Sequence, residues 1–278
     1  MSIELRTEMV AMLDEVFKNG ALTSILDTDG QLVQAGANAK EIKVAKMELD
    51  GLADYDRATG YVDGDVSLVW ETKSFNYDRG RKFSVDRLDN EESGDLAFGK
   101  LAGEFIRTKV VPEVDAFRIS TYGKKAGKKV VTAAFTKGQE VIKALRDCAN
   151  YMDEAEVPAE GRILFITPTL ISMVEDMDTT ASKEVLGRFS QIVRVPQSRM
   201  SMEVTLTGNG FTANKTKAIN FLCLTKEAVL QIPKHAIPKY QSADDNIDKD
   251  ADEYSYRTYQ LAEVLDNKVA AIYVNSIA

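Results

Sequence analysis

The chain has 278 residues, of which 44% are hydrophobic and 28% charged, proportions that exclude a disordered, collagenous or repetitive class. Its formal net charge of -8 argues against a protein whose whole surface embraces a nucleic-acid backbone, while leaving room for a local basic patch. Cys148 and Cys223 stand in apolar stretches without Cys-x-x-Cys spacing, so buried free thiols are expected rather than a disulfide framework or a zinc site.

The first residues, MSIELRTEMVAM, carry Glu4 and Glu8 and no long apolar run, which reads as neither signal peptide nor membrane anchor and leads us to expect a cytoplasmic chain. Met9, Val10, Leu13, Val16 and Phe17 fall on one helical face and predict a short amphipathic helix over 7–17. From Gly20 to about Lys40 a mixture of Gly, Asn, Asp and Thr reads as an extended arm or irregular linker. The period then changes to two: Ile42 with Val44, Met47 with Leu49, then Val66, Leu68 and Trp70, then Phe83 with Val85, all expected strands. They flank DGLADYDRATGYVDGD (50–65), rich in turn formers and too poor in apolar residues to make a core, so a long projecting hairpin is predicted. A two-stranded ribbon is marginal by itself and needs another surface to lie on.

Ser93 or Asp95 offers a cap for a long helix carrying Phe98, Leu101, Phe105 and, beyond an interruption at Pro112, Val114 and Phe117. We expect a kinked helix over about 95–120, ended by GKKAGKK (123–129). A second helix is predicted over 137–153, a buried strand at RILFIT (162–167), a helix opened by Pro168, and strands between Ile219 and Ile232. Alternating helices and strands from about 135 to 233 make a compact α/β unit, so the whole chain is α+β. KHAIPKY (234–240) reads as a linker and SADDNIDKDADE (242–253) as an acidic loop. Two final strands, ending in KVAAIYV, are expected to return beside the long helix and the hairpin base.

Enzyme chemistry finds little purchase. His235 is the sole histidine, and it sits in the expected linker, where a surface or hydrogen-bonded role outweighs that of a general base. The Gly-x-Gly-x-x-Ala run at 208–213 leads towards a strand and not a helix, so it is read as a hairpin turn and not a dinucleotide site. GKKAGKK lacks Walker A spacing and reads as a solvated basic loop. Asp244, Asn246 and Asp248 have calcium-loop spacing, but Lys249 replaces the required glycine and Ser255 the bidentate glutamate. No catalytic residue, metal ligand or cofactor is therefore assigned.

The order of parts then carries a resemblance. GLADYDRATGYVDGDVSLVWE (51–71), YDRGRKFSVDRLDNEES (77–93), GKLAGEFIRTKVVPEVDAFRIS (99–120), VPQSRM (195–200) and YRTYQLAEVLDNKVAAIYV (256–274) together resemble tailed-phage major capsid proteins of the Hong Kong 97-like fold. The resemblance implies an N-terminal arm (1–40), an E-loop hairpin with flanking strands (41–92), a P-domain with its spine helix (93–134), an A-domain (135–233) and returning P-domain strands (234–278). It implies inter-subunit contacts through Leu52, Tyr55, Asp56, Arg57, Tyr61, Asp63 and Trp70, and a spine helix built on Phe98, Leu101, Phe105, Pro112 and Phe117. Expected partners are further copies of the chain, arranged as pentamers and hexamers, a separate scaffolding protein, a portal, decoration proteins and packaged double-stranded DNA. No membrane, cofactor or covalent crosslink through Lys73, Lys82 or Asn267 is expected, and the expected location is the virion after assembly in the host cytoplasm. The competing readings are an encapsulin-type compartment of the same fold, and a cytosolic α/β enzyme or ligand-binding protein with a pocket in 135–233.

Overall fold

The computed structural model describes residues 20–28, 33–35, 40–55, 57, 60–88 and 96–277. The amphipathic segment 7–17, the cap at Ser93 or Asp95, Asp56 and the side chains of Phe98 and His235 lie outside the description. The period-two segments become β2 (Glu41–Leu49), β3 (Val66–Ser74) and β4 (Tyr77–Asp86). β2 and β3 pair antiparallel in one unbroken ladder from Glu41 opposite Ser74 to Leu49 opposite Val66, so the hairpin forms as the alternation predicts. Its far end is pinned where the Asp65 amide donates to the Asp50 carboxylate at 2.8 Å. A short β1 (Val33–Ala35) adds a third strand on the β2 side.

The long helix begins as α1 (Leu96–Phe105), passes through a π turn (Ile106–Val110) and continues as α2 (Val111–Lys124) with Pro112 in its first turn. The π turn explains how one stripe stays buried. Ala102, Ile106, Val110 and Val114 recur every four residues, a spacing that drifts by about 40° per step around a regular α-helix. A wider turn winds that drift back, and all four residues are buried. Pro112 fits beside this turn because it has no N–H to place in a regular ladder.

Two sheets divide this helix between them. A three-stranded antiparallel sheet, in the order β11 (Val229–Gln241), β12 (Ala251–Val264) and β4, packs its Tyr77, Tyr254 and Tyr256 against Ala102, Ile106, Val110 and Val114. A five-stranded sheet follows the order β5 (Lys128–Val131), β13 (Ile272–Ser276), β10 (Ile219–Thr225), β6 (Arg162–Ile166) and β7 (Gln191–Arg194). Its central strands are buried on both faces, which is why they read as unbroken apolar runs. Leu164, Ile166, Phe221, Cys223 and Tyr273 meet α3 (Gly138–Glu154), α4 (Pro168–Glu175) and α5 (Thr180–Leu186) on one side. Ile163, Phe165, Leu222, Leu224, Ile272 and Val274 meet Ile119 and Tyr122 of α2 on the other. A hairpin of β8 (Val204–Thr207) and β9 (Gly210–Ala213) turns at Gly208 and Asn209, the turn read from the sequence.

Three expectations are corrected. KHAIPKY is no linker: it continues β11 across Pro233 and Pro238, which is possible because β11 is an edge strand whose outer N–H positions need no partner. The last strand, β13, does not return to the hairpin base but enters the five-stranded sheet between β5 and β10. Finally, residues 21–28, expected as an extended arm or irregular linker, are packed into the body. Thr23 and Leu26 are fully buried, and Thr28 exchanges backbone and hydroxyl hydrogen bonds with Gln231 at 2.9 Å.

Candidate assembly surfaces

The hairpin has a firm base and a bare tip. At the base Ile42 and Val44 bury against Leu230 and Leu261, and Phe75 stacks on Tyr259 with ring centroids 4.6 Å apart. Asn76 acts as an extra strand residue, donating to the Ala262 carbonyl at 2.7 Å and accepting from its amide at 3.1 Å. Lys73 binds Glu71 at 2.7 Å and Asp266 at 3.3 Å; burial opposes its charge, yet these two carboxylates hold the ammonium above its usual range. In return Lys73 holds the Asp266 carboxyl below the ordinary carboxylate range.

Beyond this base the ribbon is exposed among the described residues. Leu49, Leu52, Tyr55, Tyr61, Val62, Val66, Leu68, Val69 and Trp70 are all exposed, on both faces of the hairpin. Exposed apolar residues in such number are a feature that interaction surfaces share. Among the residues singled out from the sequence, Leu52, Tyr55, Arg57, Tyr61, Asp63 and Trp70 sit together on this projection, with the Tyr55 and Tyr61 rings 4.9 Å apart. Leu101, Phe105 and Phe117 lie instead inside the body, with Phe105 edge-on to Phe83 at 4.8 Å and Phe117 against Tyr77 at 4.9 Å.

A buried polar clip, which periodicity does not reveal, joins residues 21–28 to the long helix. The carboxylate of Asp115 accepts from the Thr23 amide at 3.1 Å, the Thr23 hydroxyl at 2.6 Å, the Leu22 amide at 3.2 Å and the Arg199 guanidinium at 3.0 Å. Arg118, fully buried, donates to the Thr23 hydroxyl oxygen at 3.0 Å and to Gln260 at 2.5 Å. Gln231 closes the set, donating to the Thr23 carbonyl at 2.8 Å and accepting from the Tyr122 hydroxyl at 2.8 Å. A charged pair inside the helix at Asp115 and Arg118 was the available signal, since charges so placed need partners when buried.

A second tie joins β4 to the β8–β9 hairpin. Arg79 donates to the Thr207 carbonyl at 2.7 Å and Arg81 to the Gly208 carbonyl at 2.6 Å. Glu113 pairs with Arg79 and accepts from the Tyr77 hydroxyl at 2.7 Å. Burial first, and then the Glu113 charge, push the Tyr77 phenol far above its usual range, so it remains a hydrogen-bond donor. Cys148 and Cys223 are buried and free, and burial likewise raises the Cys148 thiol. Among the described residues no group of three or more His, Cys, Asp or Glu side chains is placed to hold a metal ion, and no helix is long and apolar enough to cross a membrane.

No protein-family profile matches the chain. By sequence it is similar to retinaldehyde dehydrogenase 3 of Mus musculus, 25% identical over 214 residues that make 73% of this chain and 40% of that protein. The rat enzyme gives 26% over 201 residues, 68% of this chain and 37% of that one, so the chain spans about two fifths of the length of these curated relatives. Solved structures match far more completely. A chain of Mycobacterium phage Che8 has a TM-score of 0.60 at 13% identity, covering 86% of this chain and 85% of that one. The mature capsid of bacteriophage PhiM1 gives 0.64 at 11%, covering 86% and 82%. A virus-like particle from Pyrococcus furiosus gives 0.57 at 14%, covering 98% and 99%. With hairpin, long helix, three-stranded sheet and five-stranded sheet all present and the match running nearly end to end, the chain has the Hong Kong 97-like fold of phage capsid proteins.

Proposed function

We propose that the chain is the major capsid protein of a tailed phage, associating into rings of five and six that close into a shell around double-stranded DNA. The observation that carries this reading is the long hairpin whose apolar residues lie bare on both faces, on a chain with a capsid fold. Such a ribbon is marginal alone and gains its stability by lying across a neighbour. One chain type repeating slightly different versions of the same contacts makes both kinds of ring. In this reading residues 41–92 form the E-loop, 135–233 gather around the ring axes, and the three-stranded sheet with its helix makes contacts between rings. Scaffolding protein, portal and decoration proteins are the further partners, and assembly takes place in the host cytoplasm. The role is structural, and the short dehydrogenase likeness covers too little of those enzymes to set against a match over most of both chains.

Deleting Leu52–Asp63 tests the reading, because it removes the bare tip and leaves the Asp50–Asp65 closure intact. The shortened chain is expected to fold as a soluble monomer and to build no shells; normal shells from it would contradict the proposal. A second reading, an encapsulin-type compartment for protein cargo, draws on the virus-like particle that matches 98% of this chain and 99% of its own. Nucleic acid inside purified particles supports the phage shell, whereas a packed protein supports the compartment.

A further inference from the structure

The Gly-x-Gly-x-x-Ala run at 208–213 forms the β8–β9 turn, and its chemistry lies in the pair Asn209–Gly210. Asn209 is exposed at the tip of the turn. In an asparagine–glycine pair the backbone nitrogen of the second residue reaches the side-chain carboxamide of the first most readily. No side chain crowds the approaching nitrogen, and glycine adopts the backbone angles that a five-membered ring demands. Gly210 has φ +131°, and a Cβ built there would meet nothing within 4 Å, so the approach is unhindered.

Arg81 supplies the second part. Both terminal nitrogens of its guanidinium donate to Oδ1 of Asn209 at 3.4 Å, and one of them also donates to the Gly208 carbonyl at 2.6 Å, which fixes the cation over the turn. A cation at a carbonyl oxygen draws electron density from the carbon and stabilises the oxyanion that forms on attack. The turn and Arg81 together line a cavity of about 730 Å³ beside the long helix, roomy and polar enough at this end to hold water. Asn214 provides the contrast within the same hairpin. Its Nδ2 donates to Glu203 at 3.0 Å, its Oδ1 accepts from the Thr216 amide at 3.0 Å and hydroxyl at 2.8 Å, and the residue after it is Lys215.

We infer that Asn209 is a self-modifying site, whose carboxamide is converted to a carboxylate without an enzyme while Arg81 polarises it. The backbone nitrogen of Gly210 gives up its proton and bonds to Cγ of Asn209; the Cγ–Nδ2 bond breaks, and ammonia leaves carrying that proton. The product is a five-membered imide. Water then adds to one of its two carbonyls and opens the ring, giving aspartate or isoaspartate. One water is consumed and one ammonia released for each chain modified, and nothing is oxidised or reduced. The modification adds one negative charge to a chain whose formal net charge is -8 and places it against Arg81. A neutral acceptor thereby becomes the acceptor of a charge-assisted hydrogen bond between the β8–β9 hairpin and β4. The inference concerns the folded chain itself and stands whether or not that chain builds shells.

Peptide mapping of the full-length protein tests this. Samples aged at about pH 7 and about pH 9, with an unaged sample as the zero point, are digested with trypsin, and fragment spectra of the peptide 200–215 are read at each asparagine. That peptide holds Asn209 and Asn214 together, while Asn19, which also precedes a glycine, falls in a separate one. A gain of about 1 Da at Asn209, none at Asn214, and a faster gain at the higher pH are expected, because the attacking amide must lose its proton. Arg81→Ala is expected to slow the gain at least about threefold and Arg81→Lys to restore most of the rate, with circular dichroism unchanged in both. An Asn209 that keeps its amide as long as Asn214 does would overturn the site. A gain in Arg81→Ala as fast as in the unsubstituted chain would overturn the part given to Arg81.

Discussion

Asp115 and Arg118 lie one turn apart on the long helix and are both buried, an arrangement that survives only because Thr23, Arg199, Gln260 and Gln231 surround them. Asp115→Ala strands the Arg199 charge and two backbone amides, and it is expected to lower the unfolding free energy by about 3 kcal/mol. Urea denaturation measures that loss, and a midpoint unchanged from the parent would contradict it. Trp70 belongs to the opposite kind of residue. It is the sole tryptophan, it stands exposed on β3, and its truncation to Ala is expected to change monomer stability by no more than about 0.5 kcal/mol. As a buried anchor in an assembled contact it is worth about 2 kcal/mol, roughly thirtyfold in affinity. Trp70 emission should therefore move to shorter wavelength as assembly proceeds, whereas an emission unmoved by assembly would place Trp70 outside the contact.

At the scale of elements, what the sequence disclosed followed from pattern. Alternation in Ile42–Leu49 and Val66–Trp70 marked the hairpin, and the helical stripe of α1 and α2 marked the long helix, because half-buried surfaces leave a period. The failures have physical reasons. Prolines 233 and 238 disguised β11, since an edge strand tolerates what a central strand would not. The π turn leaves no mark of its own beyond a four-residue spacing that a regular helix would not keep on one face. The clip holding 21–28 depends on side chains more than 90 residues away, which no local window contains.

The hairpin base also carries a pH prediction. Asp266 is held below the ordinary carboxylate range by Lys73, and Asp78 likewise by its hydrogen bond from Arg257. A carboxyl whose folded value lies below its unfolded one contributes stability that is complete above the unfolded value, about 4, and is lost as pH falls through the folded value. Anchoring of the hairpin at Lys73 and the Asp78–Arg257 pair between β4 and β12 are thus expected to hold unchanged from neutrality to about pH 4 and to weaken below it. Trp70 fluorescence anisotropy across that range is the readout, and greater hairpin mobility already at pH 6 would contradict the assignment.

For the whole molecule, the long helix is the member that couples everything else. Its first half supports the three-stranded sheet from which the hairpin springs, and its second half covers one face of the five-stranded sheet. The hairpin, exposed among the described residues, projects from this body. Each contact can be weak, because every subunit in a closed shell makes several at once. Electron microscopy of the purified full-length protein, alone and with the scaffolding protein proposed as its partner, bears most directly on this account. Closed shells or rings of five and six are the predicted result, and protein that remains strictly monomeric under both conditions would contradict it.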